Sequence, residues 1–326
     1  MLQRPGMGDR ALEALNNPGE KAPKQLSIGL ALGGGAARGF AHIGILQTLA
    51  AHGVKPDVIT ATSMGAVVGG CYAAGHLESF CEWALALTRR RMFRYIDVSL
   101  TGSGLITGMR LARHLETTLG RTKIETLATR FAAIATEIDT GHEVWLTRGR
   151  LVEAMRASYA LPGVFAPVHI GKRWLVDGAL VNPVPVSAAR ALEARMVIAV
   201  NLNADLLGRG GTIASHGFED EDIDEPPRAD RHWRERISID RFVKRQVFGA
   251  VGRPGLATVM IEAYNVMQDR ITRARLAGDP PDIMISPRLG SIGWFDFHQA
   301  EVAMKIGAEA AERALDTIHE AVEALR

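Results

Sequence analysis

Residues 58–69 read Val58-Ile59-Thr60-Ala61-Thr62-Ser63-Met64-Gly65-Ala66-Val67-Val68-Gly69. Val58, Ile59, Thr60 and Thr62 are β-branched and predict a buried strand, whereas the small residues from Met64 to Ala74 predict a helix. Ser63 therefore sits where strand turns into helix. So tight a turn holds a side chain out beyond the carboxyl edge of a sheet and leaves room only for small neighbours. Ala61 and Gly65 supply them, which is the spacing of the nucleophile elbow G-x-S-x-G with alanine at the first glycine. The helix beyond brings its positive dipole end beside any anion formed at the serine. Two plainer readings fit the same letters. A serine before a helix is often only an N-cap. An uncharged run from Val58 to Leu77 with a Gly65-x-x-x-Gly69 spacing is also a candidate membrane span, although its polar residues and glycines split it into strand and helix.

Upstream, Leu26–Leu32 is a short apolar run ending in Gly33-Gly34-Gly35-Ala36-Ala37-Arg38-Gly39, followed by a segment of helical spacing. Strand, glycine turn and helix in that order present bare backbone N–H groups, a place to hold an anion. A phosphate loop needs Lys and Ser or Thr after its closing glycine, and here Phe40 and Ala41 follow Gly39. A dinucleotide fingerprint from Gly33 would need glycine where Arg38 stands, and one from Gly35 would need it at Ala37. The other reading is an oxyanion hole, with the Gly34 and Gly35 N–H groups aimed at the charge that develops when Ser63 attacks an ester carbonyl. One such donor typically supplies about 2.7–4 kcal/mol of barrier lowering. Arg38 either braces this loop, forms a structural ion pair or meets a substrate phosphate.

Downstream, Phe131–Glu137 and His142–Leu146 predict a strand pair turned at Asp139-Thr140-Gly141. Residues 101–108 and the Pro- and Gly-containing stretch around Pro162, Gly163 and Pro167 predict loops. Trp174-Leu175-Val176 predicts a strand running into Asp177-Gly178-Ala179, with Asn182-Pro183-Val184-Pro185 beyond. Asp177 is placed either to face a cleft or merely to close a turn. Met196–Asn201 and Asp282–Ser286 predict further strands, and Leu77–Arg91, Leu256–Leu276 and His298–Arg326 predict helices.

The chain has 326 residues, of which 47% are hydrophobic, and a net charge of +2, so nothing in its charge points to nucleic acid. Cys71 and Cys81, if carried on continuous helix, lie roughly 15 Å apart, too far for a disulfide, and reduced thiols suit a cytoplasmic protein. The ten histidines show no metal-ligand spacing. Residues 1–24 are polar with three prolines and predict a flexible leader. Residues 25–326 are expected to form one domain with an insertion at 205–253, where six acids in Glu219–Glu225 give way to seven basic and three acidic residues in Arg228–Arg245. That insertion is either a lid or membrane-docking element, touching a bilayer through 228–251 at the inner membrane face, or a solvated loop whose charges screen one another.

Taken together in order, GGGAARG, ATSMG and VDGALVNPVP resemble the patatin-like phospholipase family, in particular its bacterial RssA-like and neuropathy target esterase-like branch. The resemblance covers about Leu26 to Asn203, and the segment DIMISPRLGSIGWFDFHQAEVAMKIG is also similar to that branch. It implies an α/β fold, a three-layer α/β/α sandwich around a mainly parallel sheet, and a lipid acyl hydrolase of phospholipid or lysophospholipid esters working by a Ser–Asp dyad without cofactor or metal. Carried over by position, Ser63 is the nucleophile, Asp177 the general base, and Gly33, Gly34 and Gly35 the oxyanion hole. Arg38, Gly65 and Gly178 support them. The one departure in these motifs is Ala61, where the family usually has glycine. A catalytically silent lipid-binding module of the same fold and a His-dependent esterase or thioesterase are the alternatives.

Overall fold

The computed structural model describes residues 26–88, 104–106, 109–205, 249–250, 253–254 and 256–325. The expected leader, and nearly all of the expected insertion with its 228–251 membrane contact, lie outside the described residues. The strands run in chain order as β1 (Ile28–Leu32), β2 (Val58–Thr62), β3 (Gly104–Ile106), β4 (Arg130–Glu137), β5 (Glu143–Leu146) and β6 (Gly163–Phe165). They continue as β7 (Val168–Ile170), β8 (Arg173–Asp177), β9 (Met196–Val200), β10 (Gly249–Ala250), β11 (Arg253–Pro254) and β12 (Ile283–Ile285). The helices are α1 (Ala41–Ala51), α2 (Met64–Ala73), α3 (Leu77–Leu85), α4 (Met109–Leu119), α5 (Leu151–Ser158), α6 (Val186–Ala191), α7 (Leu256–Gly278), α8 (Ala300–Glu312) and α9 (Leu315–Ala324).

Eight strands make one mixed sheet in the order β12-β9-β1-β2-β4-β8-β7, with β5 also on β4. The pairings from β12 to β4 are parallel, and β5, β8 and β7 join antiparallel. Alternation along the strands sorts the two faces. Leu30, Leu32, Ile59, Ala61, Phe131, Ala133, Ile198 and Val200 enter one large core with residues of α1, α2 and α8. Ala31, Val58, Val197 and Ala199 point the other way, onto Val186 and Ala189 of α6. The result is an α/β protein with helices on both sides of the sheet.

Helix α2 is buried from Met64 through Cys71, which explains the uncharged run: it packs in the core against β2 and β4. Among the described residues no helix is long and apolar enough to cross a membrane.

Several expected elements differ. The helix predicted for 77–91 ends at Leu85, and the one predicted for 298–326 is two helices broken near Arg313 and Ala314. Residues 104–106, predicted as loop, pair in parallel with Gly163–Phe165, so two stretches without a sheet pattern make a small separate ladder. Cys71 and Cys81 fall on different helices and are both free and buried, with Cys81 Sγ 3.7 Å from Met304 Sδ.

Candidate active site

Strand β2 delivers Ser63 to the carboxyl edge of the sheet, and the register decides what meets it there. Thr62 pairs with Ile134 of β4, so one step further Ser63 comes level with Ala135, and Ala135 pairs with Asp177 of β8. The two residues thus reach the same height from opposite strand directions, one strand apart. Ser63 Oγ donates to Asp177 Oδ2 at 2.6 Å.

Ser63 adopts φ 57°, ψ −126°, a conformation that L-residues rarely hold without support. The support is local. Its N–H donates to Ser158 Oγ at 2.9 Å, and the Ser158 hydroxyl donates in turn to the Ile134 carbonyl at 2.6 Å. Gly65 lets the turn close, because a Cβ there would stand 2.5 Å from the Leu32 carbonyl oxygen and 2.7 Å from that of Gly33. The serine side chain makes no capping bond to α2, so the N-cap reading does not describe it. Ala61 is fully buried in the core cluster and does not line the cleft, so its methyl group leaves the cleft's shape alone.

Asp177 is 2% exposed. Its Oδ1 accepts the Ala179 N–H at 2.9 Å, which is the turn role, while Oδ2 takes the serine. Burial pushes the carboxyl up to about 7, against the opposing pull of the Ser63 and Ala179 hydrogen bonds. The main chain is fixed as well: Asp177 N–H donates to Ala160 O at 3.0 Å, and Thr136 Oγ1 donates to Asp177 O at 2.9 Å. Gly178 is required because a Cβ there would meet the Ile134 carbonyl.

The Asn182-Pro183-Val184-Pro185 segment ties the three sequence motifs into one place. Its carbonyls accept from Thr62 Oγ1 at 2.8 Å (Asn182), from Gly34 N–H at 3.1 Å (Pro183) and from Thr60 Oγ1 at 2.8 Å (Pro185). The glycine turn is thereby divided. Gly33 N–H donates to Val200 O at 3.0 Å and Gly34 N–H to Pro183 O, so neither is available to an incoming oxyanion. Of the three glycines expected as donors only Gly35, with the following Ala36, has an N–H without an intramolecular partner, and both residues line the cleft. Gly34 lies close behind, where a Cβ would come 3.3 Å from Ser63 Cβ. Ala36 has φ 48°, and of the three described non-glycine residues with positive φ, Ala36 and Ser63 both line this cleft. Backbone strain gathered in one cavity singles it out as the candidate site.

Arg38 is buried and lies behind the turn. Its Nε donates to Ile292 O at 2.8 Å and its Nη1 to Asn203 Oδ1 at 3.3 Å, while Asn203 Nδ2 donates to Gly34 O at 3.3 Å and to Gln268 Oε1 at 3.0 Å. Of the readings open for Arg38, bracing the loop is the one these contacts fit. His42, on the helix after the turn, donates Nε2–H to Gly33 O at 2.8 Å, and burial drives its pKa down to about 4, so the ring is neutral. No described histidine lines the cleft, and among the described residues no three His, Cys, Asp or Glu gather to hold a metal.

Ser63 and Asp177 open onto a cavity of about 140 Å³ whose walls are mostly apolar, including Trp83, Leu87, Leu111, Leu161, Val164, Phe165 and Phe297. Trp83 is fixed there by stacking on Phe80 and His114, with ring centroids 5.2 and 4.8 Å apart. Helix α7 closes one side with Tyr264 and Gln268, and the Trp294–Phe295 loop another. Tyr264 and Trp294 of this lining, and Ser158 and Asn203 of the hydrogen-bond networks above, are not among the residues that the sequence points to. They act through long-range contacts, and no local spacing marks them.

The family model described as patatin-like phospholipase matches residues 30–190. An uncharacterized NTE family protein of Mycobacterium tuberculosis is 31% identical over 354 aligned positions, covering 93% of this chain and 94% of that one. The chain belongs to the patatin-like phospholipase family. The matched span holds Ser63, Asp177 and most of the glycine turn's surroundings, and the family is one of lipid acyl hydrolases. A second relative, the lysophospholipase nte1 of Neurospora crassa, is 31% identical over 183 residues, 55% of this chain and 12% of that one. The solved structure of VipD from Legionella pneumophila shares the fold, with a TM-score of 0.51 at 12% identity over 89% of this chain and 67% of that one.

Proposed function

We propose that this patatin-like protein cleaves carboxylic esters of phospholipids or lysophospholipids through an acyl-enzyme on Ser63, with Asp177 as general base. The observation that carries this reading is the 2.6 Å hydrogen bond from Ser63 Oγ to a buried carboxylate, made by residues on two separate strands at the mouth of an apolar cavity.

As Ser63 Oγ attacks the ester carbonyl its proton passes to Asp177 Oδ2. A carboxylate near its ordinary value of about 4 is a poor acceptor, and one raised toward 7 is better matched to neutral pH. The oxyanion is held by the N–H groups of Gly35 and Ala36 and by that of Met64, the residue after the nucleophile, at the positive end of α2. Asp177 then returns the proton to the departing alcohol. A water repeats the sequence on the acyl-enzyme and frees the fatty acid. The acyl chain lies along the apolar wall formed by Trp83, Leu87, Leu111 and Phe165. Phe295, which lines the cavity and is 44% exposed, and the exposed Met260 and Met267 on α7 suit a substrate presented in an aggregate.

A panel of phospholipids and lysophospholipids tested with wild type, Ser63→Ala and Asp177→Asn decides the reading. Hydrolysis is expected in wild type, none above background in Ser63→Ala, and a loss on the order of 10²–10⁴ in Asp177→Asn. Turnover unaltered by Ser63→Ala would contradict it.

A further inference from the structure

The peptide bond between Gly34 and Gly35 carries the Gly35 N–H, which has no intramolecular partner. A peptide flanked by two glycines rotates at little steric cost, because neither side has a Cβ to oppose it. The preceding peptide, between Gly33 and Gly34, is held at both ends: His42 Nε2–H donates to Gly33 O at 2.8 Å and Gly34 N–H donates to Pro183 O at 3.1 Å. The Gly34–Gly35 peptide has one hold among the described residues, Asn203 Nδ2 on Gly34 O at 3.3 Å. No described peptide is cis, and a trans peptide points its C=O and N–H in opposite directions. With Gly34 O drawn to Asn203, the Gly35 N–H is turned the other way, and Gly35 lines the cavity with Ser63.

Asn203 is itself fixed. Its backbone N–H donates to Asn201 Oδ1 at 3.0 Å, and the fully buried Leu202 beside it packs behind the turn, where a Cβ on Gly35 would stand 2.8 Å from Leu202 Cδ1. Arg38 Nη1 donates to Asn203 Oδ1 at 3.3 Å, and Arg38 is anchored through Nε on Ile292 O at 2.8 Å. Arginine has no acceptor, so the amide must meet it with oxygen and present Nδ2 to Gly34 O. Nδ2 also donates to Gln268 Oε1, at 3.0 Å.

We propose that Asn203 is a positioning residue: by holding the Gly34 carbonyl it sets the plane of the Gly34–Gly35 peptide so that the Gly35 N–H faces the oxyanion formed at Ser63. The inference rests on the acyl-enzyme reading above. Asn203 is not among the residues that line the cavity, so it acts through this one backbone donor. Were the plane to turn over, the Gly34 carbonyl oxygen would stand where the donor stood and set a partial negative charge against the oxyanion. Loss of one donor from such a hole typically costs about 10²–10³ in kcat.

The test compares Asn203→Asp with Asn203→Ala on p-nitrophenyl butyrate. Aspartate, ionised at neutral pH, keeps the shape and an oxygen for Arg38 but sets an acceptor against Gly34 O, which drives the plane over. Alanine leaves that carbonyl free for water. Acylation and deacylation both pass through an oxyanion, so kcat falls whichever step limits. It is expected to fall on the order of a hundredfold in Asn203→Asp and on the order of tenfold in Asn203→Ala, with KM within about twofold of wild type. Ki for a trifluoromethyl ketone bearing the same chain, whose Ser63 adduct carries the oxyanion, rises by the same factors, while Ki for butyrate holds. A merely structural role gives the opposite order, because aspartate preserves shape and pairs with Arg38 whereas alanine truncates. Alanine equal to or worse than aspartate, kcat unchanged in both, a change confined to KM, or an unmoved ketone Ki overturns the inference and leaves the hydrolase reading standing. Where one variant gives no cooperative melt, the kcat-against-KM split and the ketone Ki of the other decide. A wild type that hydrolyses no ester, or whose turnover survives Ser63→Ala, overturns both.

Discussion

Ser158 Oγ accepts the backbone N–H of Ser63 at 2.9 Å and passes its own proton toward the Ile134 carbonyl at 2.6 Å, so one hydroxyl pins a strained elbow to the neighbouring strand. Ser158→Ala removes at once the acceptor of the Ser63 N–H and the hydroxyl that donates to the Ile134 carbonyl. It is expected to cost about 1–3 kcal/mol in urea unfolding. Hydrolysis should also fall, roughly tenfold, because the elbow relaxes toward an ordinary backbone conformation. Unchanged stability and rate together would mean that the elbow does not depend on this pin.

The raised carboxyl of Asp177 gives the activity a direction in pH. In the proposed role of general base Asp177 must be ionised, and burial holds its pKa up to about 7. kcat/KM is therefore expected to fall about tenfold per pH unit below that value and to level off above it. A profile flat from pH 5 to 8 would show that no group with this property controls the reaction.

The same group gives stability the opposite direction. Between about pH 4, where the carboxyl of an unfolded aspartate ionises, and pH 7 the native state holds a proton that the unfolded chain has lost. Stability from this group is thus fully present below that range, falls as pH rises through it, and is flat above. Asp177→Asn removes the titration while keeping acceptors and donors for Ala179 and Ser63. Its melting temperature is expected to exceed wild type at pH 8, with the gap closing toward pH 5. A variant less stable than wild type at pH 8 would contradict the burial of a charge there.

Gly65→Ala tests whether the elbow needs its close approach to β1. The added methyl would stand 2.5 Å from Leu32 O and 2.7 Å from Gly33 O, both backbone atoms that cannot swing aside. Destabilisation of about 1–3 kcal/mol is expected from thermal or urea unfolding, with activity falling as the glycine turn shifts.

How far the site was legible in the sequence depended on what kind of contact makes it. The strand into Ser63 and the strand into Asp177 announce themselves through β-branched and alternating residues, and the structure has both strands where their patterns end. Their meeting does not follow from pattern. It comes from the register of β2, β4 and β8, which is set by pairing across the sheet. The glycine turn shows the same limit. Three glycines in a row promise bare N–H groups, but Val200 O and Pro183 O claim the first two, and those acceptors lie more than 140 positions along the chain. Ala36, whose N–H stays free, carries no signal of its own. The Gly104–Ile106 strand was missed because its partner, Gly163–Phe165, lies among prolines and glycines that locally predict a loop.

The central claim is that Ser63 Oγ is the atom that takes the acyl group, driven by Asp177. Treating the full chain with a fluorophosphonate and locating the adduct by mass spectrometry tests it most directly. One phosphonyl group is expected on the peptide bearing Ser63, none in Ser63→Ala, and a rate of labelling lowered on the order of a hundredfold in Asp177→Asn. An adduct on another residue, or no adduct on a protein that still hydrolyses lipid esters, would contradict it.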